Sequence, residues 1–325
     1  MKFKHTFHVF VDNFSITYKQ LLYRLIISVV AIAIGVTCLT PFVKDFIGSE
    51  AFNLFIDNIK NFIFNFLNGD VADLAETSEA VKAAYGQVME LLQTRVAELV
   101  LMGLLVLVLY IIEKWFAGLG NYTTAVLIND KMALRAKSPF VGTMISHLKE
   151  AAIYNLIYVP LSILYDIIIC AILFVLLFFM LTGIQFFLIS LFLFSLMMVM
   201  AIALKMTFTC DWLPALIRGK MGHKKSIGYA FSRKGKNTLN IYSNFVVLIL
   251  IIIALNVAAA VFTFGVGALL TIPASYVMLI SFEMVNYYDS EEMRYFVDKN
   301  TIIKHDKEHV MTREEFFAGT DDGNL

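Results

Sequence analysis

Apolar residues gather in six stretches along this chain, at 25–43, 99–112, 151–181, 184–204, 241–264 and 266–282. Five approach or exceed the roughly 20 residues of helix that cross a bilayer core about 30 Å thick, and the second is shorter. Lipid offers no partner for peptide N–H and C=O groups, so each stretch must satisfy its own backbone as a helix. The pattern predicts an all-α, polytopic membrane bundle of six transmembrane helices occupying residues 21–288. The second stretch has fourteen uncharged residues between Glu98 and Glu113. It spans only with those acids at the two interfaces and Trp115 in the aromatic belt. The third and fourth form one apolar run broken at Thr182–Gly183, which reads as a tight helical hairpin.

Two further periodicities lie outside the spans. Phe3, Phe7, Phe10 and Phe14 recur at spacings of three and four, the signature of an amphipathic helix over residues 1–20. Its Lys2, Lys4 and Lys19 suit it either to the cytoplasmic leaflet or to packing against the other helices. Between the first two spans, Phe52, Phe55, Ile56, Ile59, Phe62, Ile63 and Phe66 make one apolar stripe. Asn68–Gly69–Asp70 then supplies turn chemistry, and the pattern resumes through Leu74, Val81, Val88 and Leu92. A structureless loop of this length is unusual, so residues 44–95 are read as an extracytoplasmic helical hairpin. Its stripe faces the partner helix, the lipid surface or a protein partner.

Charge sets the orientation. Bases collect before the first span (Lys2, Lys4, Lys19, Arg24), between the second and third (Lys114 to Lys149), and in residues 209–240. That last segment carries Arg218, Lys220, Lys224, Lys225, Arg233, Lys234 and Lys236 against one acid, Asp211. Because Lys and Arg stay on the cytoplasmic side, both termini are placed there, with 209–240 as a basic linker and 289–325 as a polar tail. The seven bases are read as contacts to anionic lipid headgroups, at about 1 kcal/mol each near the surface. A phosphate or headgroup site is the sharper alternative.

Composition narrows the class. Of 325 residues, 59% are hydrophobic and 16% charged, against about 25% charged in soluble domains. Lys+Arg and Asp+Glu number 26 each, which excludes a globally basic nucleic-acid binder. Cys38, Cys170 and Cys210 lie in or beside the apolar stretches and read as buried thiols, not a disulfide framework or zinc site. No small-residue cleavage pattern follows the first stretch, where Pro41 and Phe42 stand, so it reads as a retained span.

Little catalytic chemistry is visible. His305, Glu308 and His309 match an HxxEH zinc-peptidase string, but the segment lacks an apolar face and reads as a solvated tail. No catalytic residue, cofactor or metal ligand is assigned. The informative groups are the ionisable residues in apolar surroundings, costly in lipid and often functional: Asp166, Lys205 and Glu283. Counted inward at about 1.5 Å per residue, Asp166 and Glu283 reach similar depth, with Lys205 one to two turns closer to the cytoplasm. They form a candidate intramembrane polar cluster, with Asn256 and Gln185 farther out, acting as inter-helix glue or as a proton- or substrate-coupled site. Pro160 and Pro273 lie within spans and tend to kink them.

The run from Asp211 to Pro214, the basic linker, residues 227–236 and the closing 287–298 resemble poorly characterised bacterial multi-pass membrane proteins. These include the membrane domain attached to some glycerophosphodiester phosphodiesterases. The resemblance covers about the C-terminal half, leaves out the hairpin and carries no catalytic residue. It implies a bacterial cytoplasmic membrane. The whole reads as a non-enzymatic, transport-related or envelope-associated component, contacting membrane lipids and, through its hairpin, a protein partner. The alternatives are a self-sufficient small-solute or lipid transporter using the ionisable cluster, and a membrane-embedded lipid-modifying enzyme.

Overall fold

The computed structural model describes residues 2–68, 71–133, 138–181, 187–232, 238–298 and 301–304. Its helices are α1 (Lys2–Asp12), α2 (Ser15–Ile47), α3 (Glu50–Asn68), α4 (Val71–Thr94), α5 (Val96–Met132), α6 (Phe140–Ser146), α7 (Leu148–Leu181), α8 (Phe187–Thr209), α9 (Trp212–Ile217), α10 (His223–Ser232), α11 (Thr238–Phe262) and α12 (Ala268–Ser290). A two-residue antiparallel pairing of β1 (Tyr295–Phe296) with β2 (Ile302–Ile303) follows.

Six helices, α2, α5, α7, α8, α11 and α12, are long and apolar enough to cross a membrane. The most apolar windows of α2 and α5 are 0% buried by the protein. Such continuous apolar surface belongs in contact with lipid. The second span is not limited by its short uncharged stretch, because α5 runs on to Met132 and carries Leu119, Tyr122, Ala125, Ile128 and Met132 into the protein interior. The connection to the third span is correspondingly shorter than the sequence suggests, and α6 starts at Phe140, directly after Ser138–Pro139.

The described chain divides into two compact units, one of residues Leu25–Phe116 and one of Met1–Arg24 with Ala117–Leu325, so that α2 and α5 contribute to both. In the first unit α3 and α4 pair antiparallel. Asn58 Nδ2 donates to the Ala80 carbonyl at 3.4 Å, and the Phe55 and Tyr85 rings lie 6.2 Å apart. Ala84 and Val88 of α4 are buried, whereas Phe55, Ile59 and Phe62 of α3 are half-buried and Ile63 is exposed. The apolar stripe thus packs on its partner helix along one flank and leaves the other open.

In the second unit α8, α11 and α12 build the core through Val199, Ala203, Phe245, Leu248 and Phe282. The rings of Phe245 and Phe282 lie 4.9 Å apart, edge to face. Helix α1 packs here: Phe3 stacks on Phe282 at 5.8 Å, Phe10 joins the same cluster and Val9 is fully buried, while Phe7 points outward at 55% exposure. The amphipathic face therefore serves the bundle, not only a leaflet. At the end of α12, His5 Nδ1 meets Tyr295 Oη at 3.0 Å, and that hydroxyl donates to Asp289 Oδ1 at 2.7 Å. Burial holds the His5 imidazole below the usual histidine value, opposed by the charge of Asp289. Burial and the Asp289 hydrogen bond push the Tyr295 phenol up.

Helices α11 and α12 join through a turn whose Gly265 takes φ +90°, a conformation that glycine adopts without Cβ strain. The cysteines depart from expectation: Cys210 is buried, Cys38 is half-buried and Cys170 is exposed. A weakly polar thiol on a lipid-facing surface needs no protein cover. The basic linker is also more than a linker, since Asp211, Trp212, Leu213, Pro214 and Ala215 are all buried. That short apolar run folds as α9 into the bundle and leaves the bases that follow it at the rim.

Candidate functional site

Asp166 sits on α7 one turn beyond Ser162, so both face α8. Lys205 Nζ lies 2.6 Å from Asp166 Oδ1 and donates to the Ser162 carbonyl at 3.4 Å. Its ammonium is 5.8 Å from the Tyr165 ring, and the Tyr165 hydroxyl donates to the Ala201 carbonyl at 2.8 Å. The pair is a short, charge-assisted contact that ties α7 to α8, with side-chain exposures of 33% for Asp166 and 17% for Lys205.

Glu283 is carried by α12. Its carboxylate shares the field of Asp211 and of the Tyr154 and Tyr158 phenols. Asp211 is 2% exposed and accepts from Asn286 Nδ2 at 3.3 Å. Tyr158, within reach of the Ser162 and Thr209 hydroxyls, also feels Asp166 and so stands electrostatically between the two groups. Asn256 pairs across α11 and α12, taking a hydrogen bond from Thr271 Oγ1 at 2.8 Å and giving one to Ser275 Oγ at 2.9 Å. Gln185 lies outside the described residues.

Aromatic rings line this part of the bundle. Tyr122 and Tyr154 are 5.9 Å apart, Tyr154 and Tyr158 stack at 5.2 Å, and Trp212 sits edge-on to both at 5.2 and 5.8 Å. On one side of these rings a polar basin of 690 Å³ is bordered by α5, the start of α7 and the turn after α9. Tyr122 Oη donates to Glu150 Oε2 at 3.2 Å, and His147 Nδ1 lies 3.1 Å from the same oxygen. Lys220 and His223 border the basin from the turn. On the other side a cavity of 360 Å³ lies between α7, α8 and Phe231 of α10, reaching Lys205 through an almost wholly apolar wall.

Of the seven bases read as headgroup contacts, Lys220, Lys224 and Lys225 are exposed. Arg218 is partly covered, its guanidinium 5.3 Å over the Tyr288 ring. Arg233, Lys234 and Lys236 lie outside the described residues, as do His305, Glu308 and His309. In the sequence Arg24 stands only as one of the orienting charges. In the structure its guanidinium covers the Tyr276 ring at 3.5 Å and donates to Asn121 Oδ1 at 2.9 Å, which also accepts from Gln20 Nε2 at 3.0 Å. Thr124 Oγ1 completes the network by donating to Gln20 Oε1 at 3.2 Å. Gln20, Asn121 and Thr124, polar positions on otherwise apolar helices, were the available signal.

Spans, exposed apolar surface and internally paired polar groups together define a multi-pass α-helical membrane protein. No protein-family model matches the chain, and none of the curated proteins or solved structures compared with it matches either.

Proposed function

We propose that this protein is a non-catalytic component of a bacterial cytoplasmic membrane, transport-related or envelope-associated. Its termini face the cytoplasm and α3 and α4 stand on the opposite side. The observation that carries this reading is the closure of Lys205 on Asp166 at 2.6 Å beside an apolar cavity. Ions and polar solutes cross membranes along polar walls, whereas a neutralised pair against an apolar wall suits a pinned bundle. The resemblance to membrane domains attached to some glycerophosphodiester phosphodiesterases agrees with it. The second reading, a self-sufficient transporter, draws on Glu283, whose carboxylate shares the field of the buried Asp211, since intramembrane carboxylates often relay protons.

Reconstituted in vesicles with a pH-sensitive dye inside, the protein should pass no more protons than empty vesicles under an imposed pH gradient. Proton entry that disappears in Glu283→Gln would replace the first reading with the second.

A further inference from the structure

The polar basin and the apolar cavity flank one aromatic wall. Tyr122 borders the basin, Tyr158 borders the cavity, and Tyr154 joins them, backed by Trp212. Both spaces lie along α7, with Glu150 at the basin and Tyr158 to Ile168 at the cavity. Fourteen residues separate Glu150 from Leu164, about 21 Å of helix. That is about the depth of one leaflet with its headgroup. Leu164 and Ile168 are 55% and 50% exposed, so the cavity opens sideways toward the acyl region.

The basin presents both signs of charge. Lys220 and His223 border it from the turn after α9, and Asp130 and Glu150 from α5 and α7, with His147 Nδ1 3.1 Å from Glu150 Oε2. Glu150 keeps 62% of its side chain exposed, and Lys220 is exposed too. A simple anion would meet the two carboxylates and a simple cation would meet Lys220; a zwitterion satisfies both. Lys220 holds φ +48°, a region that residues other than glycine enter only when their surroundings impose it. His223 Nδ1 is buried with no hydrogen-bond partner among the described residues, and such orphaned polar atoms call for an explanation. Both volumes fall in the range of ordinary ligand pockets, about 300–1,000 Å³.

We propose that basin and cavity form one site for a zwitterionic phospholipid with a primary-amine headgroup. Its phosphate lies against Lys220 and His223, its ammonium against Glu150 and Asp130, and one acyl chain follows the exposed flank of α7, past Leu156 and Leu161, to the cavity on the far side of the Tyr154–Tyr158 stack. A primary ammonium suits this basin because its N–H groups can donate to carboxylates, which a trimethylammonium cannot do. The site does not depend on whether the protein transports anything, because it requires only binding.

Trp212 provides the reporter. In a Trp115→Phe background it is the only remaining tryptophan, and its ring lies 5.8 Å from that of Tyr158, which borders the cavity. The full chain is reconstituted in vesicles of phosphatidylglycerol carrying a small fraction of phosphatidylethanolamine with brominated chains, and in the reverse mixture. Brominated phosphatidylethanolamine should quench Trp212 at about tenfold lower mole fraction than brominated phosphatidylglycerol, the selectivity of one well-placed charged contact. Glu150→Lys should remove that preference or turn it toward phosphatidylglycerol, with the Trp212 emission maximum unchanged. Equal quenching by the two lipids in the parent protein would overturn the proposal, as would a preference unchanged in both Glu150→Lys and Lys220→Glu.

Discussion

Lys205→Met should destabilise the protein markedly, and adding Asp166→Leu should restore most of the loss. The single substitution leaves Asp166 without its 2.6 Å partner in a helix whose neighbours are apolar. An ionised carboxylate at the centre of a span costs about 2.5–3.5 kcal/mol on insertion scales. Breaking a buried pair by removing one partner costs about 3–5 kcal/mol, whereas replacing both partners by apolar residues is often neutral. Asp166→Leu alone should cost less than Lys205→Met, because a stranded lysine can extend its ammonium toward the interface. Thermal midpoints of the three variants in detergent give the cycle. A coupling energy above about 1 kcal/mol is expected for residues in direct contact. Additive effects would show that the pair contributes nothing to the bundle.

Gly118→Val should be strongly destabilising, and its rescue is specific. A Cβ at Gly118 would lie 2.7 Å from Cγ and 3.0 Å from Nδ2 of Asn155, which is fully buried on α7. A short amide enclosed on all sides has nowhere to swing, so even Gly118→Ala should cost about 1–3 kcal/mol as overpacking, and valine more. Neither amide atom of Asn155 has a hydrogen-bond partner among the described residues. An unsatisfied buried polar group carries a penalty of about 1–3 kcal/mol. Asn155→Ala should therefore be neutral or stabilising by itself and should relieve Gly118→Ala. Folded yield and thermal midpoint of the two singles and the double test this. A destabilising Asn155→Ala would mean that its amide makes a contact worth more than its burial costs. Gly120 is held to a small size in the same way, since a Cβ there would meet the Tyr23 ring at 2.6 Å.

The spans were legible because lipid imposes one rule on every residue: long apolar runs must be helical. Their ends were less so. Helix α5 outruns its charge-free stretch because Glu113 and Lys114 do not stop a helix that goes on to bury Leu119, Ala125 and Ile128 against protein. Asp166 and Lys205 were found by depth alone, since each is an isolated charge in an apolar helix and depth follows from counting residues. Depth did not settle Glu283, because rotation about α12 sets its neighbours and the even apolarity of that helix leaves rotation undetermined. Helix α9 was hidden for a related reason. Its six residues lie among bases that signal a surface loop, and burial of Trp212 against Tyr154 and Tyr158 is decided by tertiary packing. The basin was invisible as a unit, because Tyr122, Glu150 and Lys220 come from three separate segments.

Orientation in the membrane is tested most directly by cysteine labelling in intact cells. In a background lacking Cys38, Cys170 and Cys210, Glu79→Cys on α4 and Lys225→Cys on α10 are treated with a membrane-impermeant maleimide. Both parent positions are exposed. Glu79→Cys should label from outside, and Lys225→Cys only after the cells are permeabilised. Labelling of both from the same side would contradict the proposed arrangement of the spans and, with it, the cytoplasmic placement of the basin.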